Sequence, residues 1–145
     1  MKSLLNLAQR TEIHVEPKDT VQKAVSLMAE HKLGAIPVMN EGKLIGIFSE
    51  RDLLRRVVAQ RLPCEKTQVG EVMTKPVKTI LDTASSDDGF RLMHEGHFRH
   101  LPVVDKSGKL FGMVSVLDLL KNRIEELNQE SKDLAAFIAA DGSGG

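Results

Sequence analysis

Residues 46–52 read Gly-Ile-Phe-Ser-Glu-Arg-Asp, and residues 112–118 read Gly-Met-Val-Ser-Val-Leu-Asp. Each stretch places a glycine, two apolar residues, a serine and an aspartate at the same spacing. The agreement continues outward from these stretches, because residues 14–40 match residues 79–105 without a gap. Matches in such ordered blocks indicate that the chain carries two copies of one unit.

Neither copy is long enough to bury both of its faces, so the two copies should pack on each other. A pseudo-two-fold axis between them would create two related clefts. We expect residues 1–66 to form the first copy with its N-terminal segment, and residues 67–124 to form the second copy. Residues 125–145 should form a C-terminal helix and a disordered Gly/Ser tail.

The elements of one copy follow the order β-α-β-β-α. A short apolar segment (residues 13–15 or 77–81) leads to a hydroxyl residue, Thr20 or Ser85, that can cap a helix. Two apolar runs joined by a glycine-containing turn then predict a hairpin, and a second helix closes the copy. Gly89 should weaken the first helix of the second copy by roughly 1 kcal/mol relative to alanine. The predicted fold class is α/β (α+β), with small mixed sheets covered by helices.

Two further segments lie outside these elements. Residues 69–73 predict a helical turn in front of Pro76. In the C-terminal segment apolar residues recur at heptad spacing, interrupted by Ser131, over too few heptads for a free-standing helix. This segment should therefore pack on the body or on a second chain; its apolar residues are Leu120, Ile124, Leu127, Leu134 and Ile138.

Composition argues against several classes of function. Twenty basic residues balance twenty acidic ones, whereas a nucleic-acid binder needs a net cationic surface for the phosphates. Cys64 is the single cysteine, which excludes an intrachain disulfide and a thiolate metal cluster. The apolar runs are too short for a secretory signal or a membrane span, which predicts a soluble, cytoplasmic protein. We expect no enzyme and no required cofactor, because the sequence offers neither a nucleophile–base–acid grouping nor a Walker loop.

The two stretches at 46–52 and 112–118, at the same register of a repeat, resemble the signature of the CBS-domain pair (Bateman module). Residues 28–38 also resemble the helix-to-strand passage of that family, and residues 72–80 its usual approach to a second copy. The resemblance covers residues 3–124. It implies a regulatory module that binds adenine nucleotides (AMP, ADP or ATP) in the clefts and signals through packing or dimer geometry. It further implies a homodimer and, for a stand-alone pair, a separate effector protein.

The resemblance also implies roles for individual residues. The signature aspartates, Asp52 and Asp118, would bind the ribose hydroxyls, and the serines, Ser49 and Ser115, would bind phosphate. This assignment is chemically sound, because a carboxylate accepts two hydroxyl donors and a helix start attracts an anion. Arg99 suits phosphate because a guanidinium matches its geometry. The remaining residues expected near the nucleotide are Val15, Thr79, Ile80, Ile47, Met113, Gly34, Ala35, His100 and Arg51.

Alternatives remain open at each of these sites. The spacing Ser-x-x-Asp is also that of a capping box, so a ligand-free structural, dimerisation or protein-interaction module would carry the same residues. Gly34 aligns with Arg99, and Pro17 aligns with Asp82, so we expect the two clefts to differ in affinity, and one to be empty if the difference is large. Arg56, next to Arg55, is interpreted as part of a solvated helix face.

Three histidines, His94, His97 and His100, invite a metal-site interpretation. Their spacing spans the expected end of a helix, and His-Glu-Gly-His is one residue shorter than a zincin motif. A basic cluster near a phosphate site explains them better, so we expect no metal site.

Overall fold

The computed structural model of the chain describes residue 4 and residues 8–10 and 13–144; for residues 9, 10 and 141–144 it describes the backbone alone. The helices and strands in chain order are β1 (Gln9–Arg10), α1 (Val21–His31), β2 (Ala35–Asn40), β3 (Lys43–Ser49), α2 (Glu50–Asp52, continued by a π-helix Leu53–Val58), α3 (Val69–Val72), β4 (Ile80–Leu81), α4 (Ser86–Gly96), β5 (His100–Val104), β6 (Leu110–Ser115) and α5 (Val116–Gly144).

Each copy is built around an antiparallel hairpin, β2–β3 in the first copy and β5–β6 in the second. The second copy extends its hairpin to a four-stranded mixed sheet of order β1-β6-β5-β4, in which β4 runs parallel to β5. The first copy has single bridges at the equivalent places, where Val15 pairs with Val38 and Ile47 pairs with Thr74. These small mixed sheets with their helices confirm the predicted fold class.

The segment that leads into each copy packs on the other copy. Leu4 is fully buried in the core of the second copy, and β1 pairs there with β6. In the same way α3 contributes Val69 to the core of the first copy, and Thr74 pairs with β3. The N-terminal segment that the sequence analysis grouped with the first copy therefore completes the second copy in space.

Helix starts and a close helix contact follow from local sequence. The Thr20 side chain accepts a hydrogen bond from the Lys23 amide, and Ser85 forms a capping box with Asp88, as expected of N-cap residues. Gly89 lies in α4 against α5, where an added Cβ would come within 3.2 Å of Leu119 Cδ1. The intrinsic cost of glycine in α4 is thus offset by the close packing that its missing side chain permits.

Helix α5 continues without interruption from the second copy into the C-terminal segment. It passes through Ser131, where the sequence analysis placed a break, and ends at Gly144, within the predicted disordered tail. Leu119 and Asn122 are buried against the body, whereas residues 127–140 are all exposed. No helix in the part of the chain that the structure describes combines the length and apolar character of a membrane span.

Candidate functional site

The two Ser-x-x-Asp stretches form the same structure at the starts of α2 and α5. In each copy the aspartate amide donates to the serine Oγ, at 3.3 Å for Asp52 and 3.1 Å for Asp118. The serine amide donates in return to the aspartate Oδ2, at 3.0 Å for Ser49 and 2.9 Å for Ser115. The capping interpretation is therefore confirmed in both copies. It leaves open whether a ligand also uses these groups.

Asp52 is buried, with 5% of its surface exposed, and protein groups engage both of its carboxylate oxygens. The Thr74 hydroxyl donates to Oδ1 at 2.9 Å, and the Arg56 Nε lies 3.6 Å from the same oxygen. Arg56 also donates to the Met73 carbonyl oxygen at 2.8 Å; its side chain is exposed, as predicted, but it additionally makes these two contacts. Asp52 thus fastens α2 of the first copy to the segment that leads into the second copy.

Asp118 lies in a different setting although it occupies the equivalent position in α5. It is half-buried. The residue one helical turn later, equivalent to Arg56, is the uncharged Asn122, whose Nδ2 donates to Glu126 at 2.9 Å. The position equivalent to Thr74 is Gln9, which faces Met113 across the β1–β6 pair. Asp118 is also less buried than Asp52, which has 5% of its surface exposed.

The two copies meet where β2 and β5 begin. Gly34 faces the His100 ring so closely that a Cβ on Gly34 would lie 2.9 Å from Nε2 and 3.3 Å from Glu50 Oε1. Beside this contact the Arg51 guanidinium donates to the His97 carbonyl oxygen at 3.2 Å. The start of α2 in the first copy therefore contacts the α4–β5 passage of the second.

Burial lowers the pKa of the His100 imidazole below its ordinary value. The carboxylates of Glu50 and Asp118 raise this pKa, and the guanidinium of Arg99 lowers it, so that the net direction stays downward. His100 is consequently neutral at pH 7 in the ligand-free chain. Protonation of this ring would be favoured by acidification or by a new negative charge nearby.

The other predicted nucleotide contacts fall into two groups. Val15, Ile80 and Ala35 are buried, and the first two belong to the cores of their copies. The Val15 amide also donates to the Pro37 carbonyl, and its own carbonyl accepts from the Met39 amide. These side chains pack within the protein, and their predicted place near a base stays a prediction. The residues that do reach the surface, wholly or in part, are Thr79, Arg99, Arg51, Gly34, Ile47 and Met113.

The contacts of Thr74 and Glu50 were not predicted from the sequence. Thr74 stands in the segment that resembles the approach to a second copy, and the repeat register could have placed it beside Ile47 in the way that Gln9 lies beside Met113. For Glu50, neither the repeat register nor a motif predicts its place beside Gly34 and His100. As for metals, no group of three or more His, Cys, Asp and Glu side chains among the described residues is arranged to hold an ion.

An open groove of about 400 Å³ lies between α1 and α2 and reaches the first Ser-x-x-Asp stretch at Glu50. Apolar side chains form most of its wall, and Lys32 and Glu50 are its charged members; the apolar residues are Val25, Met28, Ala29, Leu33 and Leu53. Apart from Glu50 at the start of α2, it has no residue near the meeting point of the copies. With Lys32 as its basic lining residue, this mostly apolar wall is poorly suited to a phosphate.

Comparison with known proteins gives two matches to the CBS domain family, at residues 6–59 and 69–125. The chain is 38% identical over 110 residues to YhcV of Bacillus subtilis and covers 77% of it. It is 34% identical over 143 residues to "CBSX3, mitochondrial" of Arabidopsis thaliana and covers 69% of that protein. These matches take in 76% and 95% of the chain. Longer relatives also match, and the chain spans 19% of the length of CBSCBSPB1 of Arabidopsis thaliana.

Solved structures agree with this fold. A protein with CBS domains from Burkholderia ambifaria superposes with a TM-score of 0.80 at 38% identity, covering 86% of this chain and 95% of that one. CBSX2 of Arabidopsis thaliana in complex with AMP superposes at 0.72 with 26% identity, over 86% of this chain and 98% of that one. PAE2072 of Pyrobaculum aerophilum, complexed with AMP, superposes at 0.74 with 28% identity, over 81% and 89%.

Proposed function

Because the chain belongs to the CBS-domain family, we propose that it is a regulatory module that binds an adenine nucleotide beside Asp118. Binding would change the packing between its two copies. The AMP held by two similar structures supports this class of ligand. AMP, ADP and ATP are the candidates, since all three present the same ribose and adenine.

The observation that carries the choice of site is the unequal burial of the two signature aspartates. A ribose offers two hydroxyl donors, which need an accessible acceptor. At Asp52 a ribose would have to displace the Thr74 hydroxyl and disturb the contact with Arg56, and loss of the Thr74 hydrogen bond to the charged carboxylate costs about 1.5–3 kcal/mol. At Asp118 the carboxylate is half-buried rather than covered. We therefore propose the surface beside Asp118, between the start of α5 and the start of β5, as the ribose site.

Phosphate would bind at the start of α5 on the same surface. The Ser115 hydroxyl and the positive end of the helix dipole favour an anion at this place. Arg99 is exposed directly before β5, and its carbonyl oxygen accepts from the Val116 amide at 2.8 Å. A phosphate near Arg99 and His100 would raise the pKa of the imidazole, so nucleotide binding would take up a proton.

The response would arise where the copies meet. A ligand shifts a conformational equilibrium only if it binds the two states unequally. The contact of Gly34 with His100 and the hydrogen bond from Arg51 to His97 both cross between the copies. Charge on His100 would alter this contact, because the ring packs tightly there. We propose that these contacts are the element that the nucleotide shifts.

Isothermal titration calorimetry with AMP, ADP and ATP tests the site, with Asp118→Asn and Asp52→Asn as matched variants. Asparagine keeps the shape of each side chain, so the caps largely persist. Loss of one charge-assisted hydrogen bond costs about 1.5–3 kcal/mol, so Asp118→Asn should weaken binding roughly 10- to 100-fold. Asp52→Asn should lower the melting temperature and leave the affinity of the folded protein unchanged. Equal affinities in wild type and Asp118→Asn would contradict the assignment.

A ligand-free structural module is the second candidate function. The capping boxes favour it, because they explain both Ser-Asp pairs without a ligand. Absence of any nucleotide heat in the wild-type titration would favour this alternative.

We also propose a homodimer, and a separate effector protein that reads its geometry. Equivalent positions of the two copies carry exposed apolar pairs, Leu54 with Val58 on the first copy and Leu120 with Ile124 on the second. A surface with this internal two-fold symmetry suits an isologous contact with a second copy of the chain. A cytoplasmic location stays a prediction from the sequence.

A further inference from the structure

Helix α5 carries an unbroken heptad stripe that starts on the body and continues beyond it. Successive members are three and four residues apart, the spacing of core positions in a coiled coil. Each apolar member has between 43% and 64% of its surface exposed. The stripe consists of Leu117, Leu120, Ile124, Leu127, Ser131, Leu134 and Ile138.

The body holds α5 by a different face of the helix. Leu119 and Asn122 are buried, and Glu126 is half-buried, whereas the stripe residues next to them point outward. A folding back of the stripe onto the body would require α5 to turn about its own axis and expose Leu119. The stripe therefore needs a partner outside the body of its own chain.

We propose that the stripe pairs with the same stripe of a second copy of the chain, as a parallel, in-register two-stranded coiled coil. This inference rests on the homodimer in the proposed function and adds its axis and orientation. From Leu117 to Ile138 the stripe is roughly 33 Å long, so its partner must be a helix of similar length and spacing. Among the described helices the next in length have 11 residues. The α5 of a second copy is the partner that fits.

The parallel, in-register arrangement follows from the one polar member of the stripe. It places Ser131 against the partner's Ser131, and it pairs all seven positions. An antiparallel arrangement places Ser131 against an apolar residue, the partner's Leu120, the partner's Leu127 or the partner's Leu134, and leaves members of the stripe unpaired. A polar core residue matched with itself is a known determinant of register in parallel dimers.

The flanking charges agree with the parallel arrangement. Parallel pairing places Arg123 against the partner's Asn128 and Glu130 against the partner's Ala135, so no like charges oppose each other. An antiparallel register that brings Arg123 to the partner's Glu130 would compete with a bond inside α5. Arg123 Nη1 already lies 3.3 Å from Glu126 Oε2 of its own helix.

This geometry connects the candidate site to the dimer axis. Ser115 and Asp118 stand at the start of α5, one turn or less from Leu117 and Leu120. A nucleotide bound at the helix start would therefore contact the same rigid helix that forms the coiled coil. In this dimer the second repeat of one chain would lie beside the second repeat of the other chain. The two first repeats would contact each other through Leu54 and Val58.

Disulfide trapping tests the pairing in the full chain, in a Cys64→Ala background. Ser131→Cys places a thiol in the stripe, and Lys132→Cys places one on the adjacent exposed position, outside it. In the parallel pair the two residues at 131 lie within disulfide range, whose Cα limit is about 7 Å. Every antiparallel register separates them by at least about 4.5 Å along the axis, in addition to the interhelical spacing of about 8–10 Å. With oxidised glutathione, most of the Ser131→Cys protein should become a covalent dimer on a non-reducing gel, with little from Lys132→Cys.

Three results would overturn the inference: no trapping of Ser131→Cys, equal trapping of both variants, or a monomer in sedimentation velocity of the Cys64→Ala protein at micromolar concentration. AMP titration of the same proteins separates this inference from nucleotide sensing. Efficient trapping of Ser131→Cys without AMP binding would support the coiled coil and contradict the proposed nucleotide binding. A dimer in sedimentation velocity together with no trapping of Ser131→Cys would support a contact through the body and contradict the coiled coil.

Discussion

Substitution Gly34→Ala should disturb the contact between the two copies. The added methyl would lie 2.9 Å from His100 Nε2 and 3.0 Å from Cε1, closer than carbon atoms tolerate. The imidazole must then move away from a half-buried position, and overpacking of this kind costs typically 1–3 kcal/mol. We expect the lower half of that range, about 1–2 kcal/mol, because the clash meets the end of a side chain rather than the backbone.

A double-mutant cycle with His100→Ala isolates this contact. Once the ring is gone, Gly34→Ala should be neutral or stabilising by about 0.4–1 kcal/mol, because alanine restricts the unfolded chain. Urea unfolding of the four proteins at pH 7.5 then gives the coupling energy, expected at about 1–3 kcal/mol. An equal cost of Gly34→Ala in both backgrounds would refute the reasoning, since the loss would then come from the backbone of β2.

Three further predictions concern other contacts. Thr74→Val removes the hydroxyl that donates to the buried Asp52 carboxylate and should destabilise the chain by about 1.5–3 kcal/mol. The melting temperature should then drop by roughly 5–10 °C, whereas the control Thr83→Val, at an exposed position, should be near neutral. Because burial holds the pKa of His100 below its unfolded value of 6.5, the unfolded chain binds more protons on acidification. The contribution of His100 to stability should therefore be fully present above about pH 6.5, and the urea midpoint should fall between that pH and pH 5.5. The His100→Asn protein should show a smaller fall; an equal fall in both proteins would contradict this. Leu54→Glu with Val58→Glu should weaken the dimer at least 10-fold in sedimentation equilibrium, since each buried aliphatic side chain contributes about 1.5–3 kcal/mol; an unaltered dimer would exclude this face.

The repeat made most of the fold predictable. Hydroxyl residues at the right places predicted the caps at Thr20 and Ser85, and the structure confirms both. The predicted turn at residues 69–73 is α3. These features depend on neighbours in the chain, and local sequence describes such neighbours well.

Contacts between the copies could not be predicted in the same way. The Ser-x-x-Asp spacing predicted the cap at Asp52 but not the partners of its second carboxylate oxygen. Arg56 reaches that oxygen from one turn later in the same helix, whereas the Thr74 hydroxyl reaches it from the segment that leads into the second copy. The segment that leads into each copy packs on the other copy, as Leu4 does in the core of the second copy. This arrangement likewise depends on packing between distant parts of the chain.

The direction of the side chains in the short first strand of each copy could not be predicted either. Val15 and Ile80 were placed near adenine by resemblance, but each pairs in parallel with a central strand and faces its core. A short buried strand has the same apolar sequence pattern whether its side chains face a ligand or a core. The direction of the side chain, unlike the existence of the strand, required the coordinates.

A crystal structure of the chain grown with AMP tests the central claim most directly. Both ribose hydroxyls should lie within hydrogen-bonding distance of Asp118, about 2.5–3.2 Å, with the Thr74 hydroxyl still on Asp52. AMP bound at Asp52 with Thr74 displaced, or AMP placed away from both aspartates, would contradict the account.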